Sequence, residues 1–236
     1  MYSLTVENYL KAAWQISNQQ TTNYATNQKV DSWVSTGQLA EALGVSPGTV
    51  TSMLKSLSES GMVEYRPYEG VKLTDAGEAV ALRILRRHRL IELFLVRTLK
   101  LTWDQVHEEA EHLEHAVSDF LIDRIDEFLD HPEVDPHGDP IPNAEGVMRG
   151  GHQPTMPLSD CPEGSHIRIA RVMNQGAEFL RYLTDVGLTL GTECEITDRN
   201  PEAGVVTVQT ETQRITLGFP AAQQLLVESV ESMAKK

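Results

Sequence analysis

Residues 107–115 read His-Glu-Glu-Ala-Glu-His-Leu-Glu-His, three imidazoles and four carboxylates in nine positions. On an α-helix, at about 100° per residue from His107, Glu111 falls at about 40°, Glu114 at about −20° and His115 at about 80°. These four share roughly 100° of arc, while Val106, Ala110, Leu113, Val117, Phe120 and Leu121 fall between about −140° and −40°. The polar group therefore borders a stripe read as buried, where imidazoles and carboxylates are costly unless paired or bound to metal. His112, Glu108 and Glu109 lie off the arc and read as surface. His88 and Glu92, four apart, share one face of the preceding helix. Together His88, Glu92, His107, Glu111, Glu114 and His115 suffice for one or two divalent cations. A nitrogen and oxygen donor set without thiolate favours Mn(II) or Fe(II), with other divalent transition metals binding in vitro. The zinc-protease pattern is absent, because His-Glu-x-x-His from His107 would need a histidine where Glu111 stands.

Helices must position these groups. Apolar spacing predicts one over Leu4–Ile16, a long one from Asp75 to about Leu99, and another from Thr102, as N-cap, to about Leu129. Residues 17–33, rich in Gln, Asn and Thr, read as a loop. Seven of the eleven prolines lie in 131–164, a composition of interdomain linkers. Short β-patterned runs follow at 166–173, 193–198, 205–209, 214–217 and 225–230, interrupted by a helical segment at 177–183, and suggest a small barrel.

A second constellation occupies 36–60. Leu39, Ala40 and Leu43 make the inner face of a short helix with Thr36 as candidate N-cap. Gly44-Val45-Ser46 turns the chain, and Ser46 caps a second helix whose apolar stripe is Val50, Met53, Leu54 and Leu57. The outward positions Ser46, Pro47, Gly48, Thr49, Thr51, Ser52 and Lys55 are mostly small or hydroxylic. They let a helix N-terminus approach phosphates and base edges. A hairpin around Pro67–Gly70, carrying Arg66, adds a wing. Thr36 and Arg66 join the seven outward positions as the expected DNA-binding set.

Charge is divided in the same way. The chain carries −14 overall, yet its first hundred residues have 11 Lys and Arg against 9 Asp and Glu, and the remaining 136 have 9 against 25. An acidic whole argues against nonspecific coating of nucleic acid and leaves room for a DNA-binding N-terminal third. No run of about 18 apolar residues exists, and residues 1–8 lack a secretory pattern, so a cytoplasmic protein with no membrane partner is expected. Cys161 and Cys194 are too few for a disulfide framework or a four-thiolate zinc site.

Several stretches resemble the DtxR/MntR family of metalloregulators: Val6–Lys11, the helix-turn-helix at 36–60, Arg87–Glu92, Val106–Ser118 and Pro136–Pro142. The last seventy or so residues resemble the family's SH3-like, FeoA-type domain. The resemblance implies a mainly α fold with small β parts. Its expected boundaries are a winged helix-turn-helix over 1–74, a helical dimerisation and metal-binding domain over 75–142, a linker over 143–164 and an SH3-like β-barrel over 165–236. It implies a primary site of Glu111, Glu114, His115 and a first-helix residue, which here is Asn8. A second site of His88, Glu92 and His107 would be completed by Gln175 and Glu178. Family members usually carry Asp or Met where this chain has Asn8. Manganese members with a two-metal cluster carry Glu where it has Lys11, and a cation there disfavours a second ion. Iron members carry Cys at the place of Glu111, so the oxygen donor tilts the expectation from Fe(II) toward Mn(II).

The expected protein is a homodimeric, metal-activated repressor that binds a palindromic double-stranded operator and controls metal-uptake genes. One rival is a winged-helix regulator sensing an organic ligand with a structural metal site. Another is a di-metal carboxylate enzyme on a helical bundle, which would favour a Glu-x-x-His motif on each of two helices. In the helical region only Glu109–His112 offers that motif, off the ligand arc, so no enzyme is expected.

Overall fold

The computed structural model describes residues 2–21, 33–150 and 154–230, which fall into two compact units. The first comprises 1–88, 114–119 and 142–147; the second comprises 89–113, 120–141 and 148–236.

In the first unit, helix α1 spans Leu4–Thr21, α2 Thr36–Leu43 and α3 Pro47–Glu59. Helix α1 runs five residues past Ile16, into the stretch read as a loop; residues 22–32 of that stretch lie outside the described residues. The cap of α2 is Ser35 rather than Thr36. Its hydroxyl accepts from the Gln38 amide while the Gln38 side chain accepts from the Ser35 amide, a reciprocal capping box. Gly44 ends α2 at φ 63°, the left-handed conformation that favours glycine. Ser46 caps α3 as expected, accepting from the Thr49 amide, with Pro47 in the first turn.

Strands β1 (Val63–Arg66) and β2 (Gly70–Leu73) pair antiparallel from Val63↔Leu73 to Arg66↔Gly70. Val34 bridges Val71 on the other side of β2. A Cβ at Gly70 would stand 2.3 Å from the Val34 carbonyl oxygen, so only glycine permits this approach. Leu10, Ala13, Val34, Leu39, Val50, Leu54, Val63 and Val71 form the core beneath the helices and hairpin.

Helix α4 (Asp75–Phe94) contributes 75–88 to the first unit and 89–94 to the second. It ends in a π-helical turn, Leu95–Leu99, closed by Lys100 at φ 61°. The single long helix expected after Thr102 is instead two, α5 (Val106–Leu113) and α6 (Asp119–Phe128). A serine before an acidic first-turn residue, Ser118-Asp119, is the start signal the longer reading passed over. Phe120, Leu121 and Phe128 on α6 are exposed, at 76%, 46% and 69%, so Phe120 and Leu121 do not belong to a buried stripe within this chain.

The remainder of the second unit is a six-stranded antiparallel sheet, SH3-like, in the order β3-β8-β4-β5-β6-β7. Its strands are β3 (Met156–Pro157), β4 (His166–Val172), β5 (Glu193–Asn200), β6 (Val205–Gln209), β7 (Arg214–Gly218) and β8 (Leu225–Ser229). Helix α7 (Ala177–Asp185) packs Leu180 and Leu183 into the sheet core, and α8 (Phe219–Ala222) precedes β8. The sheet starts at Met156, which pairs with Val227, inside the stretch read as linker. Residues 132–141 of that stretch are not a solvated tether either: Asp135, His137, Asp139 and Ile141 are buried. Both cysteines are free and buried, and burial pushes the Cys161 thiol up to about 11 and the Cys194 thiol up to about 12. Neither offers a thiolate near neutral pH. No described helix is long and apolar enough to cross a membrane.

Candidate metal centre and nucleic-acid interface

Two buried glutamates organise the ionisable groups, one in each unit. Glu114, in the first, is 0% exposed. The break after α5 places Glu114 and His115 in a turn, so the helical wheel that grouped them with His107 does not extend to them. The Arg87 guanidinium donates to the Glu114 carbonyl oxygen at 3.3 Å and reaches Asp119 at 2.7 Å, which holds the turn. Burial alone would raise the Asp119 carboxyl; the guanidiniums of Arg83 and Arg87 outweigh it and lower it.

Around the Glu114 carboxylate, Lys11 Nζ donates to Oε1 at 2.6 Å, His88 Nδ1 lies 2.6 Å from Oε2, and His115 Nε2 lies 3.1 Å from Oε1. His115 Nδ1 in turn lies 2.7 Å from Glu7 Oε2. Residues 7, 11, 88 and 114 are buried and, with half-buried His115, form one group in which His88 and His115 both stand beside Glu114. Asn8 Oδ1 is buried and accepts no hydrogen bond, a carbonyl oxygen left with an unmet acceptor capacity. Two imidazoles and a carboxylate fit a divalent cation, and Asn8 stands on the same helix as Glu7 and Lys11. Lys11 supplies the positive charge meanwhile, so a metal on Glu114 must displace or outbid an ammonium.

Glu92, in the second unit, is also 0% exposed. His107 Nδ1 lies 3.3 Å from its Oε1, and His107 Nε2 lies 4.0 Å from Glu111. Its Oε2 faces a residue that the spacing argument did not single out, His137, whose Nδ1 is 3.7 Å away. His137 Nε2 lies 2.8 Å from the Trp103 carbonyl oxygen, and the Trp103 ring stacks on the imidazole. Asp135 folds the 135–139 turn by accepting the amides of His137 and Asp139 at 2.8 and 2.9 Å on Oδ1. Arg89 lies 3.7 Å from Asp135 and 3.6 Å from Asp139, and Arg171 pairs with Asp139.

Burial, then Asp139 and Glu92, raise the Asp135 carboxyl. Burial would raise the Asp139 carboxyl too, but Arg171 and Arg89 prevail and hold it below its usual range. Burial also opposes a charged His137, yet Glu92 and Asp135 push it up to about 9. Gln175 donates to Asp139 at 2.8 Å, and Glu178 is exposed on α7. Among the described residues Glu178 joins none of the close histidine and carboxylate groups. Gln175 is thus engaged by the 135–139 turn.

Two groups outside the expected set have readable signals. Glu7 and Lys11 are an i, i+4 pair flanking Asn8, and Asp135-Pro-His-Gly-Asp139 sets two acids around a histidine in a turn sequence. Their partners, 32 to 108 positions away along the chain, have no such signal.

The winged helix has the expected geometry. Ser46, Pro47, Gly48, Thr49, Ser52 and Lys55 are exposed, and Thr36 and Thr51 half-buried. The Thr51 and Ser52 hydroxyls donate to the carbonyls of Pro47 and Gly48. A surface hollow of about 400 Å³ separates α3 from the wing, lined by Thr36, Thr51, Lys55, Tyr65, Tyr68 and neighbours. Arg66 is exposed, but it pairs with Glu64 and Glu69 and stacks on Trp33, so its charge is already partly engaged. Tyr68, at the tip with φ 69°, is fully exposed and was not among the expected contacts.

Comparison with known proteins follows the same division. Residues 1–71 match the iron dependent repressor N-terminal DNA binding domain, 74–143 the iron dependent repressor metal binding and dimerisation domain, and 156–229 the FeoA domain. A solved manganese-dependent transcriptional repressor in complex with manganese is 39% identical, with a TM-score of 0.83 over 95% of this chain and 100% of that one. The diphtheria toxin repressor of Corynebacterium glutamicum is 29% identical over 202 residues, 82% of this chain and 87% of its own. The regulator MntR of Lysinibacillus sphaericus is 37% identical over 98 residues, 42% of this chain and 70% of its own. These relatives regulate transcription and are not enzymes.

Proposed function

Since the chain belongs to the DtxR/MntR family of metal-dependent transcriptional repressors, we propose that it acts in the cytoplasm as a homodimer, activated by Mn(II), on a palindromic operator controlling metal-uptake genes. The observation that carries this reading is the buried group on Glu114. It joins α1, through Glu7 and Lys11, to His88 of α4 and to His115. A cation bound there draws on α1 and α4 together, and α1 packs in the same core as α2 and α3. Metal would thus select the arrangement in which two recognition helices are spaced for one operator.

In this proposal Asn8, Glu111, Glu114 and His115 hold the activating ion, with Asn8 and Glu111 assigned by the likeness to the family. His88, Glu92 and His107 form the second group, with Gln175 and Glu178 as its further ligands by the likeness to the family. The ion would supply a positive charge and directional ligand bonds. The donors are nitrogen and oxygen, and both thiols are protonated and buried, which favours Mn(II) over softer ions. Phe120, Leu121 and Phe128 lie within roughly 100° on α6, an apolar face that a second copy would cover. On the DNA side, Thr36, the exposed start of α3 from Ser46 to Lys55, and Arg66 meet the duplex.

Fluorescence anisotropy of labelled DNA from upstream of the protein's own operon tests this. Binding should appear with Mn(II), vanish with chelator and titrate as two chains per duplex. Equal binding with and without metal would overturn metal activation; a response to Fe(II) alone would overturn the choice of manganese.

A further inference from the structure

We propose that Glu64 and Glu69 make the wing a filter against unrelated DNA: they hold Arg66 until a phosphate of a seated operator takes their place. This rests on the reading that α3 and the wing meet the duplex, and adds to it the two residues that limit where Arg66 acts.

The DNA face is poor in cations. From Ser46 to Lys55 the only charged side chain is Lys55. The hairpin from Val63 to Leu73 has two acids, Glu64 and Glu69, against two bases, Arg66 and Lys72. Lys72 stands opposite Glu64 on β2 and is half-buried, so Arg66 is the exposed cation of the wing. Binding that ignores sequence is driven by cations that neutralise phosphates, so the engagement of this one arginine matters.

The engagement is built into the hairpin. Alternate residues of a strand share a face, which puts Glu64 and Arg66 side by side on β1. Arg66 Nε and Nη2 donate to Glu64 Oε1 at 3.0 and 2.6 Å. The turn brings Glu69 back to the same guanidinium: its amide donates to the Arg66 carbonyl at 3.2 Å, with Pro67 second in the turn and Tyr68 third at φ 69°. Arg66 Nη1 then donates to Glu69 Oε2 at 3.2 Å. The guanidinium carbon also lies 4.6 Å from the centre of the Trp33 ring, and Trp33 is placed there by the bridge from Val34 to Val71. Three N–H directions and one face of the guanidinium are thus taken.

Two carboxylates against one guanidinium leave the trio with one net negative charge, which repels an approaching duplex. Glu69 also lines the hollow between α3 and the wing, beside Lys55. Yet all three side chains are exposed, and exposed ion pairs are weak. A phosphate held in register by α3 can therefore exchange with the carboxylates, whereas a duplex that α3 does not seat gains nothing from Arg66.

Fluorescence anisotropy with Mn(II) compares the upstream duplex with an unrelated duplex of equal length over a series of salt concentrations. Glu64→Gln with Glu69→Gln should tighten the unrelated duplex about tenfold and steepen its logarithmic salt slope by about 0.9 per chain, one phosphate contact. The upstream duplex should gain less than about threefold, because Arg66 already reaches a phosphate there. Arg66→Gln alone should weaken the upstream duplex and leave the unrelated one unchanged. Added to the double substitution, it should cancel the gain on the unrelated duplex. Unchanged affinity and slope for the unrelated duplex in the double variant, or a gain that Arg66→Gln does not cancel, would overturn the filter. Thr49→Glu with Ser52→Glu tests the underlying reading. If it abolishes binding of the upstream duplex, α3 is at the DNA, and a negative result counts against the wing alone. If binding survives, the reading fails and the filter with it.

Discussion

Glu114 and Glu92 are both fully buried carboxylates flanked by two imidazoles, yet their surroundings differ in sign. Glu114 has an ammonium of its own chain at 2.6 Å. Glu92 has further carboxylates around His137, with Arg89 shared among them. The first group is therefore held together without metal by an internal cation that any ion must replace. The second is held by imidazoles and by a guanidinium shared among carboxylates. A chain can in this way tune metal response by choosing where to supply a lysine.

The sharpest way to break the comparison is Glu114→Gln. It removes the carboxylate that pairs with buried Lys11, and breaking a buried pair costs about 3–5 kcal/mol. Urea unfolding of the metal-free variant should show that loss, and Mn(II) should no longer stimulate DNA binding. Full stability together with an intact Mn(II) response would mean that Glu114 organises neither.

Next in size, Thr49→Glu with Ser52→Glu alters the readout without touching either glutamate. Two carboxylates facing phosphates should weaken operator binding by about a hundredfold or more, given how strongly charge governs such contacts. Mn(II) binding by calorimetry should be unchanged. Operator affinity equal to wild type would remove α3 from the interface.

Lys11→Met makes the first region resemble the second by removing its internal cation. Mn(II) affinity at Glu114 should rise by about tenfold, or ~1.4 kcal/mol. The metal-free protein should become less stable in the same experiment, because Glu114 then lacks its ammonium. An unchanged Mn(II) isotherm would show that Lys11 and the ion do not compete.

Smaller effects sharpen the picture at its edges. Asp119 is half-exposed, and its carboxyl is lowered by Arg83 and Arg87. Its contribution is therefore present above the unfolded value of 3.8 and is lost as pH falls through the lower folded value. Asp119→Asn should cost less than ~1 kcal/mol at neutral pH, and the difference should shrink below the unfolded value. A difference that grows on acidification would contradict the pairing. Least of all, Glu178→Ala, being exposed, should leave metal-free stability within about 0.5 kcal/mol of wild type. It should weaken the second site only if α7 supplies a ligand on metal binding; an unaltered isotherm would place Glu178 outside that site.

Much of this was legible where structure follows from neighbours along the chain. The Ser46 cap, the turn at Gly44, the hairpin at 67–70 and the short strands after 165 rest on local backbone preferences and apolar period. The break at 114–118 was less legible, because apolar spacing continues through it. What stops the helix is a carboxylate drawn inward by Lys11 and His88 and a carbonyl bound by Arg87. The exposed Phe120 read as core for the same reason: spacing reports an apolar face but not what covers it.

The sequence by itself determined which elements form and which side chains have ligand chemistry, since both depend on residue type and short-range spacing. Tertiary structure alone decided which ligands meet. Lys11 reaches Glu114 across 103 positions, His115 reaches Glu7 across 108, and His137 reaches Glu92 across 45. No helical or strand period carries information over such separations. Those contacts are settled by packing around buried charges, each of which must find a partner or an ion once water is removed.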